Sequence, residues 1–234
     1  MTSTWADGPM LGVDLETTGK DPFAARIVTA SVVTVGVPNP RGLNWLTDVG
    51  GEVIPDEAAA IHGVTTEHAR THGRPLREVV SELRTWIEEA WSRMIPVVGH
   101  NIAYDLTVLA AEIARFGGEP LTVRGPVIDT LVLDRALNRR RGKGAHTLTS
   151  ACRVYGVELS EEDAHSAYAD ALAALRVAWK IARRYPQVGC MSLRDLYTWQ
   201  KSQYREWADE WGAYLISIGR VDDEPREWPI RRLP

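Results

Sequence analysis

The chain has 234 residues, 44% hydrophobic and 25% charged, with a formal net charge of −4 at neutral pH. That length provides one α/β domain with a sizeable core and a modest appendage, and the balance is that of an ordinary globular protein. It excludes a membrane span, because no apolar run approaches the roughly 20 residues needed, a cysteine framework, because only Cys152 and Cys190 are present, and coating of nucleic acid by bulk positive charge.

The opening MTSTWADGPM has neither a basic n-region nor an apolar h-region, so a reducing cytoplasm is expected. Residues 10–14, MLGVD, form a short apolar run, followed by the turn-like ETTGKDPFAAR. The β-branched stretch 27–37 predicts a buried strand, and 43–48 a third strand in an antiparallel meander. Pro55 opens a short helix through 60, ending at the His62-Gly63 turn, and Pro75 opens another with Val79, Val80, Leu83, Trp86 and Ile87 at helical spacing. A strand at 95–99 leads to Asn101 as cap of a helix over 102–116, closed by Gly117-Gly118. A strand at 127–128 precedes a helix to about 137, capped by Asp129 or Thr130. A basic loop, RALNRRRGKGAH, separates it from helices at 148–155 and 167–184. Strands first, then strands alternating with helices, indicate an α/β sheet of mixed direction. After Pro186 the texture changes, and 192–218 reads as one long helix with Leu193, Tyr197, Tyr204, Trp207, Trp211, Tyr214 and Ile218 near a heptad seam. The chain divides accordingly into a domain at 1–187 and a Trp-rich helical extension and tail at 188–234.

Three acidic motifs lie in segments that can converge. Asp14 and Glu16 are two apart on a strand and project from one face, where their repulsion calls for a cation unless both are solvated. Asp105, in GHNIAYD, falls near the first turn of a helix, a favourable place for any carboxylate. His165 and Asp170, in HSAYAD, are five residues apart, which on one continuous helix would turn them apart by roughly 140°. With Ser166 as cap, His165 falls in the preceding loop and both side chains can face one site. Each motif alone has a structural explanation as good as a functional one.

In the order D-x-E, N-x-x-Y-D, H-x-A-x-x-D the motifs closely resemble the DEDDh branch of the DnaQ-like 3′→5′ exonucleases, which includes the proofreading subunit of bacterial DNA polymerase III. The resemblance spans roughly residues 10–185 and extends to DLETTG at 14–19, IHGVT at 61–65 and VIDTL at 127–131. It implies a ribonuclease H-like mixed sheet flanked by helices, with a C-terminal helical extension. It implies hydrolysis of phosphodiester bonds at nucleic-acid 3′ ends, on DNA more than RNA, with two Mg²⁺ or Mn²⁺ ions held by Asp14, Glu16, Asp105 and Asp170. Hard oxygen ligands suit those ions, and two of them about 4 Å apart neutralise attacking and leaving oxygens. His165 is implied as the general base, its unperturbed pKa near 6.5 suiting the task.

Thr17, Thr18 and His62 are candidates to hold the terminal nucleotide, although turn formation accounts for them equally. Asn101 is a candidate contact or only a cap, and Tyr104 stands where the family often has Phe, retaining an aromatic surface for a base. Arg139, Arg140 and Arg141, in a loop without acids, are candidate phosphate contacts or a solvated face. Asp129 is assigned to capping. The alternatives are an exoribonuclease of the same fold, a non-catalytic nucleic-acid-binding subunit, and a hydrolase of other phosphodiesters. Retention of all four acids and the histidine speaks against the silent subunit. The aromatic stripe at 192–218 must pack on something: its own domain, a second copy of the chain, or a polymerase-type partner.

Overall fold

The computed structural model describes residues 4–142, 144–159 and 166–233. Five strands form one sheet: β1 (Met10–Thr17), β2 (Ile27–Val35), β3 (Gly42–Leu46), β4 (Val97–Gly99) and β5 (Val127–Asp129). Their order is β3-β2-β1-β4-β5, with β1, β2 and β3 antiparallel and β1, β4 and β5 parallel. The antiparallel meander and mixed sheet follow the sequence pattern. Helices α1 (Asp56–His62), α2 (Thr66–His72) and α3 (Leu76–Ser92) lie between β3 and β4, and α4 (Ile102–Arg115) between β4 and β5. After β5 come α5 (Thr130–Leu137), α6 (Leu148–Tyr155), α7 (Ala167–Arg184), the short α8 (Pro186–Gly189) and α9 (Leu193–Ser217). Among the described residues no helix is long and apolar enough to cross a membrane.

Strand alternation divides the interior. Leu11, Val13 and Leu15 of β1 join α3 and α4 in one core layer. Met10 packs with α6 and α7 in the other. The even-numbered face of β1, carrying Gly12, Asp14 and Glu16, therefore looks towards α7. Gly12 permits that approach: a Cβ there would lie 2.9 Å from the Ala171 carbonyl oxygen of α7. Alanines 171, 174, 178 and 182 keep the facing helix thin.

Two local expectations change. Helix α2 has no counterpart in the sequence pattern, because TEHARTH buries only Ala69 and so shows no apolar period; the Thr65 side chain caps it by accepting from His68 N–H. In α9 the buried row is Leu196, Gln200, Tyr204, Ala208, Gly212 and Leu215, one step round from the aromatic seam expected, and Tyr214 and Ile218 are exposed. The reason lies at β5, an edge strand with unpaired backbone groups. Fully buried Gln200 accepts from Asp129 N–H at 2.8 Å and donates to the Val127 carbonyl at 2.9 Å, doing for β5 what a neighbouring strand would. Tyr204, Ala208 and Trp228 enter the same core as Leu11 and Leu106, so the segment after 187 is docked on the domain that precedes it.

Candidate active site

Asp14 and Glu16 sit at the end of β1, and Asp170 in the first turn of α7 faces them across the gap that Gly12 allows. Asp14, Glu16 and Asp170 each bring a carboxylate oxygen within 4.8 Å of the others. Asp105 reaches the flank of the same strand from the first turn of α4 and accepts from Leu15 N–H at 3.0 Å. It is almost fully buried. Burial, with the charges of Asp105, Asp170 and Glu16, holds the Asp14 carboxyl well above the usual carboxylate range. Burial and Asp170 push Glu16 up to about 8. Burial likewise raises Asp105, against the backbone N–H groups that stabilise its charge. Among the described residues no arginine or lysine forms an ion pair with Asp14, Glu16 or Asp105. Asp14, Glu16 and Asp170, offering only carboxylate oxygens to one another, fit a hard divalent cation. His165 lies outside the described residues.

The surrounding turn is braced. The Tyr104 hydroxyl bonds the Thr17 hydroxyl and donates to the Gly19 carbonyl. Thr18 accepts from Arg26 N–H at 2.9 Å and donates its own N–H to the Arg26 carbonyl, which makes it a turn-forming residue. Behind the turn, Glu112 of α4 is fully buried and receives Arg26 at 2.8 Å and Arg115 at 3.2 Å, and Arg115 also holds the Phe23 and Ala25 carbonyls. Gly12 and this triad lie outside the acidic motifs. A glycine inside an apolar strand is the signal for the first; nothing local marks the second, because Arg26 and Glu112 are 86 residues apart.

The more peripheral candidates divide. His62 stays on the turn after α1, its Nδ1 accepting from Val64 N–H. Asn101 occupies the position before α4 in a left-handed conformation, with no side-chain capping bond; its backbone N–H donates to Asp129 instead. Asp129 is the capping residue expected, accepting from Leu131 and Val132 N–H. Arg141 is a correction: its guanidinium grips buried Asp134 through both oxygens and also bonds Ala145 and Ser150, so a phosphate would have to break a buried ion pair. Arg139 pairs with Glu206 and Glu210 of α9 at the surface, where such bonds are weak and exchangeable. Arg140 is exposed, with no ion pair among the described residues.

The RNase T exonuclease family profile matches residues 11–178. The PolC-type DNA polymerase III of Staphylococcus haemolyticus is 29% identical over 131 residues, which is 56% of this chain and 8% of that protein. The Staphylococcus aureus PolC-type polymerase is 30% identical over 121 residues, 52% of this chain and again 8% of its own length. Among solved structures, Escherichia coli exonuclease I in complex with a dT13 oligonucleotide superposes with a TM-score of 0.63 at 20% identity, covering 77% of this chain and 42% of that one. Exonuclease I of Methylocaldum szegediense gives 0.61 at 22%, covering 77% and 41%. The chain thus spans less than half of these relatives. The fold is that of exonuclease I, and with most of its length matched by one profile the chain belongs to the DnaQ-like, RNase T exonuclease family.

Proposed function

We propose that the chain is a metal-dependent 3′→5′ exonuclease that releases nucleoside 5′-monophosphates from nucleic-acid 3′ ends, with DNA preferred over RNA. The observation that carries this is the convergence of Asp14, Glu16 and Asp170 within 4.8 Å, with Asp105 beside them. These four would hold two Mg²⁺ or Mn²⁺ ions, which when bound supply charge neutralisation at the reacting phosphate and activation of water. Asp14, whose carboxyl feels the charges of the other three, would be one of the holders. His165, five residues ahead of Asp170, takes the proton from the attacking water at an imidazole nitrogen. Thr17 and Tyr104, already bonded to each other, line the turn beside Glu16 and offer a hydroxyl and an aromatic face to the terminal nucleotide. Thr18 of the same turn, His62 on the turn after α1 and Asn101 before α4 are further candidate contacts, and Arg140 and Arg139 supply positive charge. The DNA preference is supported by oligonucleotide complexes of exonuclease I and by the polymerase relatives.

The test is degradation of matched DNA and RNA strands labelled at the 5′ end, with Mg²⁺ and with excess EDTA. A ladder shortening from the 3′ end, faster on DNA and abolished by EDTA, is expected. Undiminished hydrolysis in EDTA, or mainly internal cuts in circular single strands, would overturn it.

A further inference from the structure

A groove of about 770 Å³ runs between the basic loop and α9, lined by Asn101, Arg135, Arg139, His146, Trp207 and Trp211 among others. Its volume falls within the roughly 300–1,000 Å³ typical of ligand sites. Trp207 and Trp211 are not in the buried row of α9; they are half-buried beside it, their rings within 8° of parallel and their centroids 6.5 Å apart. The Arg135 guanidinium lies 3.7 Å over the Trp207 ring and has no ion pair among the described residues. Arg139, tied to Glu206, fastens the loop to the helix and forms one wall. The groove reaches Asn101, the residue before α4, and Asp105 is four residues further on, about 6 Å along that helix, although none of the four acids lines the groove itself.

Parallel indoles with an adjacent unpaired guanidinium suit one ligand class. Successive unpaired bases stack on aromatic faces while arginine meets the phosphates, and a duplex, whose base faces are already stacked, cannot use such a platform. We propose that this groove binds single-stranded nucleic acid, with bases on Trp207 and Trp211 and Arg135 at the backbone, and so holds the strand whose 3′ end lies among the acidic residues. The inference rests on the exonuclease reading for the direction of the strand, and on the groove alone for binding.

Binding is measured first, on the full chain in EDTA, by anisotropy of a 5′-labelled thymidine oligonucleotide about 12 nucleotides long, within the 4–16 range of single-strand sites. The W207A/W211A pair removes both stacking faces and should weaken binding by roughly 10-fold or more, while W207F/W211F keeps most of it. R135Q should weaken binding and flatten its salt dependence. In Mg²⁺, the KM for the long strand should rise in the alanine pair by about 10-fold relative to that for a dinucleotide, which is too short to span site and groove. Should the alanine pair fail to fold by circular dichroism, the phenylalanine pair and R135Q decide. Unchanged binding in the alanine pair, equal loss of affinity in the phenylalanine pair, or equal affinity for duplex and single strand would overturn the groove. Tryptophan-dependent binding without any hydrolysis by the unaltered protein would keep the groove and overturn the nuclease reading.

Discussion

Carboxylates held within 4.8 Å of one another repel, and burial makes each charge dearer still. Glu16 is pushed from an ordinary 4.5 up to about 8, and Asp14 and Asp105 move in the same direction. A carboxyl whose folded pKa is raised supports the native state at low pH, and that support is lost as pH rises through the folded value. The metal-free chain should therefore lose stability as pH climbs from 4.5 to about 8, and Mg²⁺ should restore most at the upper end. Thermal melts in EDTA and in Mg²⁺ across that window check this; a flat metal-free profile, or equal gains from Mg²⁺ at every pH, would contradict it. Asp14→Asn removes the centre of the repulsion. It should lower turnover by ~10²-fold or more and at the same time raise metal-free stability at alkaline pH. A folded variant with near-normal turnover would remove Asp14 from its role. His165→Ala should cost roughly 10²–10⁴-fold in kcat, the range for a positioned general base. Its metal affinity, followed by titration calorimetry, should persist; normal turnover with poor metal binding would recast His165 as a ligand.

At the scale of elements, the site depends on how closely α7 approaches β1. A Cβ on Gly12 would lie 2.7 Å from a Leu175 methyl, which can swing away, and 2.9 Å from the Ala171 carbonyl, which cannot. Gly12→Ala should displace α7 and Asp170 with it, costing about 1–3 kcal/mol of stability, the range for overpacking, and most of the turnover. Urea denaturation and kcat read both effects, and a variant that loses neither would show that α7 is not held by this contact. This dependence was half legible in the sequence. The motif acids announced themselves by order and spacing, β1 and β2 by apolar runs that are buried on both faces, and α3 by its apolar period. Helix α2 was not legible, since with one buried alanine it has no face to read. The α9 seam was misread for the opposite reason. Aromatic residues dominate its pattern, yet the row that faces inward includes Gln200, Ala208 and Gly212, chosen by the edge of β5 and by the tail. Gly212 is small because Asp222 and Arg226 lie where a Cβ would be. Long-range braces such as Arg26–Glu112–Arg115 and Arg141–Asp134 have no spacing signature at all.

Across the whole molecule, the segment after 187 completes the fold of the segment before it. Trp5 donates its indole N–H to the Val188 carbonyl, Trp228 donates its own to the Asp129 carboxylate, and Tyr204, Ala208 and Trp228 fill the core layer on β1 and α4. Gln200 alone satisfies two buried backbone groups of β5. Gln200→Leu leaves both without their partner and should cost about 1–3 kcal/mol each at most, with Asp129 and the start of α5 the first region to exchange its amides. Deleting 188–234 does this and more: it exposes the flank of β5, an edge able to pair with other chains, together with the apolar surface beneath α9. The expected product is an aggregating chain without a cooperative melt, although all four motif acids remain in the sequence. Solubility on expression, near-ultraviolet circular dichroism and light scattering measure it. A cut after 218 is the necessary control. It spares α9 and Gln200 but removes Trp228, so it should give a soluble protein that melts earlier than the full chain. If 1–187 were instead soluble, monomeric and as stable as the full chain, the core shared across position 187 would contribute nothing. The exposed Tyr214, Ile216 and Ile218 would then mark α9 as a docking element for another molecule.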